Sequence, residues 1–192
     1  MKYRMLLVCA AALIAGAGYS SAQMGNNMSM SVQDPMVGGA AMYPTKDIVD
    51  NAINSQDHTT LVAAVQAAGL VDTLKGPGPF TVFAPTNEAF AKLPAGTVDT
   101  LLKAENKATL TKILTYHVVA GRLSAQDIEK QIKAGGGKAQ LSTVSGGTLI
   151  AMEKNGKIML RDEKGGISTV TIGNVFQSNG VIHVVDTVLM PN

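Results

Sequence analysis

The segment that most constrains the fold of this chain is a predicted strand-to-helix corner that begins at Phe80. Apolar and small side chains alternate through Phe80–Ala84, which predicts a short, half-buried β-strand. Pro85 ends this strand because proline has no backbone N–H to donate to a neighbouring strand. Thr86 can cap the helix that follows, and the helix dipole favours the carboxylate of Glu88 in its first turn. Phe90 lies four residues after Thr86 and can fold back onto the strand, so the corner is a structural element.

Two further segments form a pattern with this corner. The first, Leu114–Val119, contains a Tyr-His pair, and the second is Asn179–Pro191. In this order and spacing the three segments resemble the fasciclin domain. FTVFAPTNEAF is similar to the first conserved box of that family, YH to its central motif and NGVIHVVDTVLMP to its second box. The resemblance extends from about Pro44 to Asn192, which is the size of one globular domain.

The resemblance implies a function as well as a fold. Fasciclin domains are generally exported binding modules that are associated with cell adhesion and matrix attachment. The region around the Tyr-His motif is tied to integrin binding in animal members. Tyr116 and His117 match that motif here, but the residues on either side do not form an acidic integrin-type sequence, so we do not assign integrin binding. The resemblance also marks a set of structural motif residues: Phe83, Pro85, Phe90, His183 and Asp186.

The order of the predicted elements indicates an α+β domain. Apolar stripes predict helices at Lys46–Ile53 and Thr59–Ala68, and Gly69 supplies a C-cap for the second helix. Further predicted elements are a helix capped by Ser124, strands at 116–119, 168–172 and 181–189, and a hairpin that turns at Asn155-Gly156. Helices that precede hairpin-linked strands favour a single fasciclin-like domain, with N-terminal helices packed on antiparallel β-sheets.

The first residues have the pattern of an export signal. Lys2 and Arg4 precede an apolar run over Met5–Ala17, and Ser20-Ser21-Ala22 is a typical cleavage site. We therefore predict a signal peptide at 1–22, since the apolar run is too short for the ~20 residues of a membrane span. The one cysteine, Cys9, lies within this signal. Without the two basic signal residues, 14 Lys and Arg balance 14 Asp and Glu, which favours neither nucleic acid nor anionic lipid as a partner.

A methionine-rich segment follows the predicted signal. Residues 23–43 contain five Met together with Gly, Asn and Ser but show no periodicity, which predicts a flexible leader before a domain at 44–192. Thioethers are soft ligands that select Cu(I). Met24, Met28 and Met30 therefore support an alternative hypothesis, in which the protein binds Cu(I) in the periplasm.

The sequence contains no pattern that is typical of an enzyme or a cofactor site. The three histidines, His58, His117 and His183, do not have the spacing of metal ligands. His117 and His183 lie in predicted apolar strands, so we interpret them as core residues. Ser145 lacks the leading glycine of a nucleophile elbow and is typical of a hairpin turn. We expect no catalytic residue, although a small hydrolase that uses His117 remains an alternative.

Exposed polar residues near the corner indicate a possible contact surface. The candidate interaction residues are Thr86, Asn87, Glu88, Lys92, Tyr116, His117 and Arg122. The sequence therefore predicts a non-enzymatic binding module whose partner is a protein or polysaccharide of the cell surface, matrix or envelope. The signal peptide predicts export, and both the periplasm and the outside of the cell remain open.

Overall fold

The structure is a computed structural model that describes residues 34–192. The predicted signal peptide and residues 23–33 of the predicted leader lie outside the described residues. The strands are β1 Met36–Val37, β2 Ala40–Ala41, β3 Phe80–Pro85, β4 Val118–Ala120, β5 Lys138–Ser142, β6 Thr148–Lys154, β7 Lys157–Arg161, β8 Ile167–Gln177 and β9 Gly180–Val185. The α-helices are α1 Ile48–Ala52, α2 Thr59–Ala68, α3 Val71–Lys75, α4 Asn87–Ala91, α5 Thr97–Leu101, α6 Lys107–Tyr116 and α7 Ala125–Ala134. Two 3-10 turns occupy Gln56–His58 and Ala104–Asn106.

Most of the described strands form one sheet, which confirms the α+β class. Across residues 34–192 the strand order in this seven-stranded sheet is β4-β3-β9-β8-β7-β6-β5. Neighbouring strands are antiparallel, as predicted, with one exception: β3 and β9 are parallel, from Phe80 beside Gly180 to Pro85 beside Val185. The two fasciclin boxes identified in the sequence therefore lie side by side in the middle of the sheet.

The two faces of β3 and β9 contribute to different hydrophobic cores, because successive side chains of a strand point to opposite faces. Val82 and Ile182 belong to a first core, which the helices α1 to α4 and α6 cover. Phe83 and Val185 belong to a second core, which includes Leu149 and Leu160 of the hairpin strands. Only 4% of the chain is aromatic, and both cores are built mainly from Val, Leu, Ile and Ala.

The sheet curls until its two edges nearly meet. Val119 of β4 forms an isolated bridge with Thr143, just after β5, and the N–H of Val144 donates to the carbonyl of Val118 at 2.8 Å. Helix α7 covers the second core inside this curl with the buried side chains of Ile128 and Ile132.

Several local predictions are confirmed. Helix α2 has the predicted bounds, and Gly69 ends it with a left-handed φ of 72°. Ser124 caps α7 and forms a capping box with Asp127. Asn155 and Gly156 have φ values of 54° and 71°, which is the type I′ geometry expected between β6 and β7.

The prediction of a strand at 116–119 is wrong for its first half. Helix α6 continues to Tyr116, and His117 is still helical, with φ −82° and its N–H bonded to the carbonyl of Leu114. The helix extends this far because its apolar face, including Leu110 and Ile113, is buried in the first core. The strand β4 begins only at Val118.

The prediction of a flexible leader as far as residue 43 is wrong for its described residues. Strands β1 and β2 form a hairpin with Met36 opposite Ala41, and Val37 and Met42 are buried in the first core. Gly38 fits the turn because its φ is 57° and an added Cβ would lie only 2.4 Å from the Oγ of Ser55. The apolar side chains of the hairpin explain its order, and the folded domain begins before Pro44.

Candidate functional site

The corner after β3 has the predicted local structure. Thr86 has extended backbone geometry, and its hydroxyl accepts a hydrogen bond from the N–H of Ala89 at 3.2 Å. This bond satisfies one of the free N–H groups of α4. Pro85 is the last residue of β3 and lies beside Val185, while Phe90 is buried in the first core. These contacts give Thr86, Pro85 and Phe90 structural roles.

The side chain of Asn87 is hydrogen-bonded to the residues around the start of a different helix. Its Oδ1 accepts hydrogen bonds from the N–H of Thr60 at 3.0 Å and from the Oγ1 of Thr59 at 3.2 Å. Its Nδ2 donates to the carbonyl of Gln56 at 2.8 Å. Asn87 therefore caps α2 from another element of the chain, and few of its polar groups remain for a partner.

Glu88 and Lys92 remain at the surface of α4. Both side chains are exposed, and the ammonium group of Lys92 donates to the carbonyl of Asp186 at 2.5 Å. This contact leaves most of the Lys92 side chain accessible. Of the residues predicted at the corner, these two present the most freely accessible charged groups.

Tyr116 is fully buried and is not available to a partner. Its hydroxyl donates to the carbonyl of Thr148 at 2.7 Å and accepts from the N–H of Glu163 at 3.1 Å. Burial raises the pKa of Tyr116 to about 12, and the nearby carboxylates of Glu163 and Asp162 act in the same direction. The phenol therefore joins α6 to the β-hairpin region in its neutral form.

His117 is buried as a neutral imidazole. Its Nδ1 lies 2.9 Å from the carbonyl of Ile113, and its Nε2 lies 3.0 Å from the N–H of Leu189. An N–H can only donate, so Nε2 is the acceptor and the proton is on Nδ1. Burial lowers the pKa of His117 to about 4, although the Ile113 carbonyl and Asp162 oppose the shift. Both ring nitrogens are hydrogen-bonded to backbone groups of the domain. This is the core role expected from the sequence.

The second box uses its polar residues in a similar way. His183 is buried, stacks on Phe83 with ring centroids 5.7 Å apart, and bonds through Nε2 to the carbonyl of Leu123 at 2.9 Å. Burial lowers the pKa of His183. The carboxylate of Asp186 accepts from the N–H of Thr169 at 2.8 Å and fixes the end of β9 against β8.

His58 forms a buried pair with Ser55, with 2.8 Å between Ser55 Oγ and His58 Nδ1. Burial is the main cause that lowers the pKa of His58, and the Ala84 carbonyl and Asp57 oppose it. Ser55 is buried as well, and both residues line an apolar cavity in the first core.

Arg122 lies at the other end of β3. Its Nη2 donates to the carbonyl of Gly180 at 3.0 Å and to the carbonyl of Gln177. The guanidinium lies over the ring of Phe176, 5.4 Å from its centroid, and that ring is 40% exposed. An open surface depression of about 340 Å³ adjoins Arg122 and is lined also by Pro77, Gly78, Pro79, Ser178, Asn179 and Gly180.

The structure does not bring the predicted interaction residues onto one surface. Arg122 contacts Gly180, which pairs with the first residue of β3, whereas Thr86 follows the last. Six residue steps of extended chain separate these positions by about 20 Å. Glu88 and Lys92 lie at one end of the strand and Arg122 lies at the other. Tyr116 is buried in the second core, and His117 is also buried.

Two residues beside Arg122, namely Phe176 and Asn179, were missed by the sequence interpretation. Phe176 was not singled out because one aromatic residue after a predicted strand is an ordinary core residue. Asn179 lies within the second box, yet its role depends on distant residues. Its Oδ1 accepts from the N–H of Ile48 at 3.1 Å and its Nδ2 donates to the carbonyl of Leu74 at 2.7 Å. No local pattern signals contacts across more than a hundred residues.

Residues 34–192 contain neither a cluster of metal ligands nor a membrane-spanning helix. In this part of the chain no group of three or more His, Cys, Asp or Glu side chains is arranged to hold a metal ion. The described helices are all too short or too polar to cross a bilayer. Met24, Met28 and Met30 lie outside the described residues, so Cu(I) binding by the leader stays a hypothesis.

Comparisons with known proteins agree with the fold. A model of the fasciclin domain family matches residues 56–191. The chain is 43% identical over 164 residues to the protein sll1483 of Synechocystis, with 85% of this chain and 84% of that protein covered. It is also 36% identical to the cell surface glycolipoprotein MPB83 of Mycobacterium bovis, with 83% of this chain and 61% of that protein covered.

A solved structure has a similar fold. It contains a pair of FAS1 domains from the insect cell adhesion molecule fasciclin I and matches with a TM-score of 0.68 at 19% identity. The match covers 77% of this chain and 51% of that chain.

Proposed function

Because this chain belongs to the fasciclin domain family, we propose that it is an exported binding module that attaches to a protein or polysaccharide of the cell surface, matrix or envelope. Members of this family are generally non-enzymatic. A cell surface glycolipoprotein and a cell adhesion molecule are among its similar proteins. The predicted signal peptide supports export, to the periplasm or beyond the cell.

The observation that carries this proposal is the chemistry of the Arg122 surface, which we define as Arg122, Phe176 and the depression beside them. Arginine and aromatic residues are enriched where protein interfaces have most of their binding energy. Here the guanidinium is held over an exposed aromatic ring. The contacts with the carbonyls of Gly180 and Gln177 fix its position before a partner arrives, which reduces the entropic cost of binding.

The rest of the motif supports a binding role rather than a catalytic one. The side chains of Asn87, Tyr116 and His117 all bond to backbone groups of this chain. A catalytic acid, base or nucleophile needs a free functional atom that can reach a substrate. These polar groups stabilise the domain, and the exposed loops around it remain for partners.

A binding assay with envelopes of the source organism tests the proposal. The purified exported protein is sedimented with isolated envelopes, and the bound fraction is compared with that of the variant Phe176→Ser. We expect the substitution to weaken binding by at least about tenfold, because it removes the exposed ring beneath Arg122.

Ile167→Ser is the matched control, since Ile167 is an exposed apolar residue at the other end of the same strand, β8. It should bind like the parent protein. Lys92→Ala tests the opposite end of β3 and should also leave binding unchanged. Absence of envelope binding by the parent protein would reject the proposal, and equal losses for Phe176→Ser and Ile167→Ser would reject the assigned surface.

A further inference from the structure

The first core contains an apolar cavity of about 100 Å³. Its floor is a row of paired residues across four neighbouring strands, in the order Val175, Ile182, Val82 and Val118. Leu61, Val62 and Val65 of α2 also line it. With neighbouring strands about 4.8 Å apart, the row is about 14 Å long. The floor is therefore a row of apolar side chains that faces α2.

Two exposed apolar residues line the cavity and show where it meets solvent. Ile53, just after α1, is 52% exposed, and Val144, beside β4, is 49% exposed. Val144 bonds to the carbonyl of Val118 and so continues the floor past β4. The mouth of the cavity is therefore apolar, like its floor.

The size and lining of the cavity limit what it can hold. A dry cavity of about 150 Å³ lined by Leu, Ile and Phe accommodates benzene. By the same ratio of volume to carbon atoms, a cavity of 100 Å³ holds about four carbon atoms. Among the polar lining residues, His117 has both ring nitrogens bonded within the protein, whereas the Nε2 of His58 has no hydrogen-bond partner among the described residues. The lining is otherwise mostly apolar, so the enclosed part favours an apolar group over a charged group.

We propose that this cavity binds the end of an unbranched alkyl chain, with the rest of the chain lying along the apolar mouth at Ile53. A flexible unbranched chain can follow the curve of this row between a helix and the sheet, whereas a broad, rigid ring system cannot. The cavity shares no lining residue with the Arg122 depression. A result at one site therefore leaves the other unaffected.

Titration calorimetry with butan-1-ol, hexan-1-ol and octan-1-ol tests the site. We expect the affinity to rise by up to about fourfold for each added methylene, since each one removes more apolar surface from water. In methyl NMR spectra, octan-1-ol should shift the signals of Ile182 and Val82 but not those of Leu149 and Leu160 in the second core. Affinity that is independent of chain length, or shifts outside the cavity only, would overturn the proposal.

Matched substitutions separate the cavity from general adsorption. Ile53→Asp places a carboxylate at the mouth and should weaken octan-1-ol binding by about tenfold or more. Ile167→Asp makes the same change at a residue that is 48% exposed and lies outside the cavity, and it should have no effect. Both positions are exposed, so both variants should fold. Equal losses in the two variants would contradict the proposal.

Vesicles of phosphatidylcholine test which natural molecule supplies the alkyl chain. If the parent protein co-sediments with the vesicles and Ile53→Asp does not, the alkyl chain belongs to a membrane lipid. Binding of octan-1-ol without co-sedimentation would assign it to a free alcohol or fatty acid. Either result supports the alkyl-chain site, while failure to bind both the alcohols and the vesicles would reject it.

Discussion

At the scale of single residues, asparagine side chains join elements that are distant in the sequence. Asn87 caps α2 from the start of α4. Asn179 joins α1 and α3 to the sheet, and Asn174 accepts from the N–H of Ala125 at 2.7 Å at the start of α7. An amide both donates and accepts, so it can satisfy an N–H and a carbonyl at the same junction.

We predict that Asn87→Ala destabilises the domain by about 1–2 kcal/mol, because it leaves the N–H of Thr60 and the carbonyl of Gln56 without a partner. The measurement is the free energy of unfolding in urea. Asn54→Ala is the control, since the exposed amide of Asn54 bonds only to the carbonyl of Asp50 one turn away. It should change the free energy by less than about 0.5 kcal/mol. Equal losses of free energy in the two variants would contradict the capping role of Asn87.

The local sequence predicts some of these residue roles and not others. Thr86 and Ser124 were predicted as caps because each is a typical capping residue at the start of its own helix, and each accepts from an N–H three residues later. Asn87 was predicted to be an interaction residue, although its amide caps a helix that begins 28 positions earlier, at Thr59. A cap of this kind depends on tertiary packing, which no short sequence window contains.

At the scale of elements, the β1–β2 hairpin shows how apolar residues can convert an expected leader into part of the domain. Val37 and Met42 enter the first core, and the carbonyl of Gly38 accepts from the N–H of Gln56 at 3.1 Å. Val37 and Met42 also line the alkyl-chain cavity. The hairpin is thus one wall of the proposed binding site.

Met42→Ala should destabilise the protein by about 2–3 kcal/mol, because truncation of a buried methionine removes apolar contacts and leaves a void. Met36→Ala is the matched control in the same hairpin, since Met36 is 60% exposed, and should change little. Thermal or urea unfolding of both variants provides the comparison. If Met42→Ala were as harmless as Met36→Ala, the hairpin would not be part of the cooperative domain.

The error at Tyr116–Val119 has a similar origin. Apolar residues on both sides of the Tyr-His pair fit a strand as well as the end of a buried helix, so periodicity could not separate them. The packing of α6 against α2 and the first core decides the outcome. The hairpin at Asn155-Gly156 was predictable because its geometry depends on the two turn residues alone.

At the scale of the whole molecule, the three histidines couple stability to acidity. Burial lowers the pKa of His58, His117 and His183 in the folded protein. The unfolded chain therefore binds more protons than the folded chain once the pH falls below about 6.5, the ordinary histidine value. Stability rises with pH through this window and is lost as the pH falls through it.

We predict that the free energy of unfolding falls between pH 7 and pH 4. His117 alone, with a folded pKa of about 4, contributes a loss of about 3 kcal/mol over this range, and the other two histidines act in the same direction. Urea unfolding at pH 7, 6, 5 and 4 measures the total. The imidazole signal of His117 in NMR spectra of the folded protein should remain that of a neutral ring at pH 5.5. A constant free energy between pH 7 and pH 5 would contradict the buried neutral state.

The overall class was predictable because helices precede hairpins along the chain, while the arrangement of the strands was not. The parallel pairing of β3 with β9 joins segments a hundred residues apart, and no turn between them fixes the register. The antiparallel pairing of β3 with β4 explains why the predicted interaction surface divides. It sets Ala120 beside Phe80, so Arg122 lies near the start of β3, whereas Thr86 follows its end.

The parallel pairing of β3 and β9 also determines when the domain can fold during synthesis. The central strand β3 has no partner on one side until Gly180–Val185 has been made, which takes about 5–20 s after β3 at typical rates of elongation. During that interval the first core lacks Ile182 and Val184, so the domain cannot close around its apolar residues. For the export that we propose, this delay keeps the nascent chain unfolded long enough to be threaded through a narrow translocation pore. Moving the second box nearer to the first in a permuted chain should therefore favour premature folding and reduce secretion.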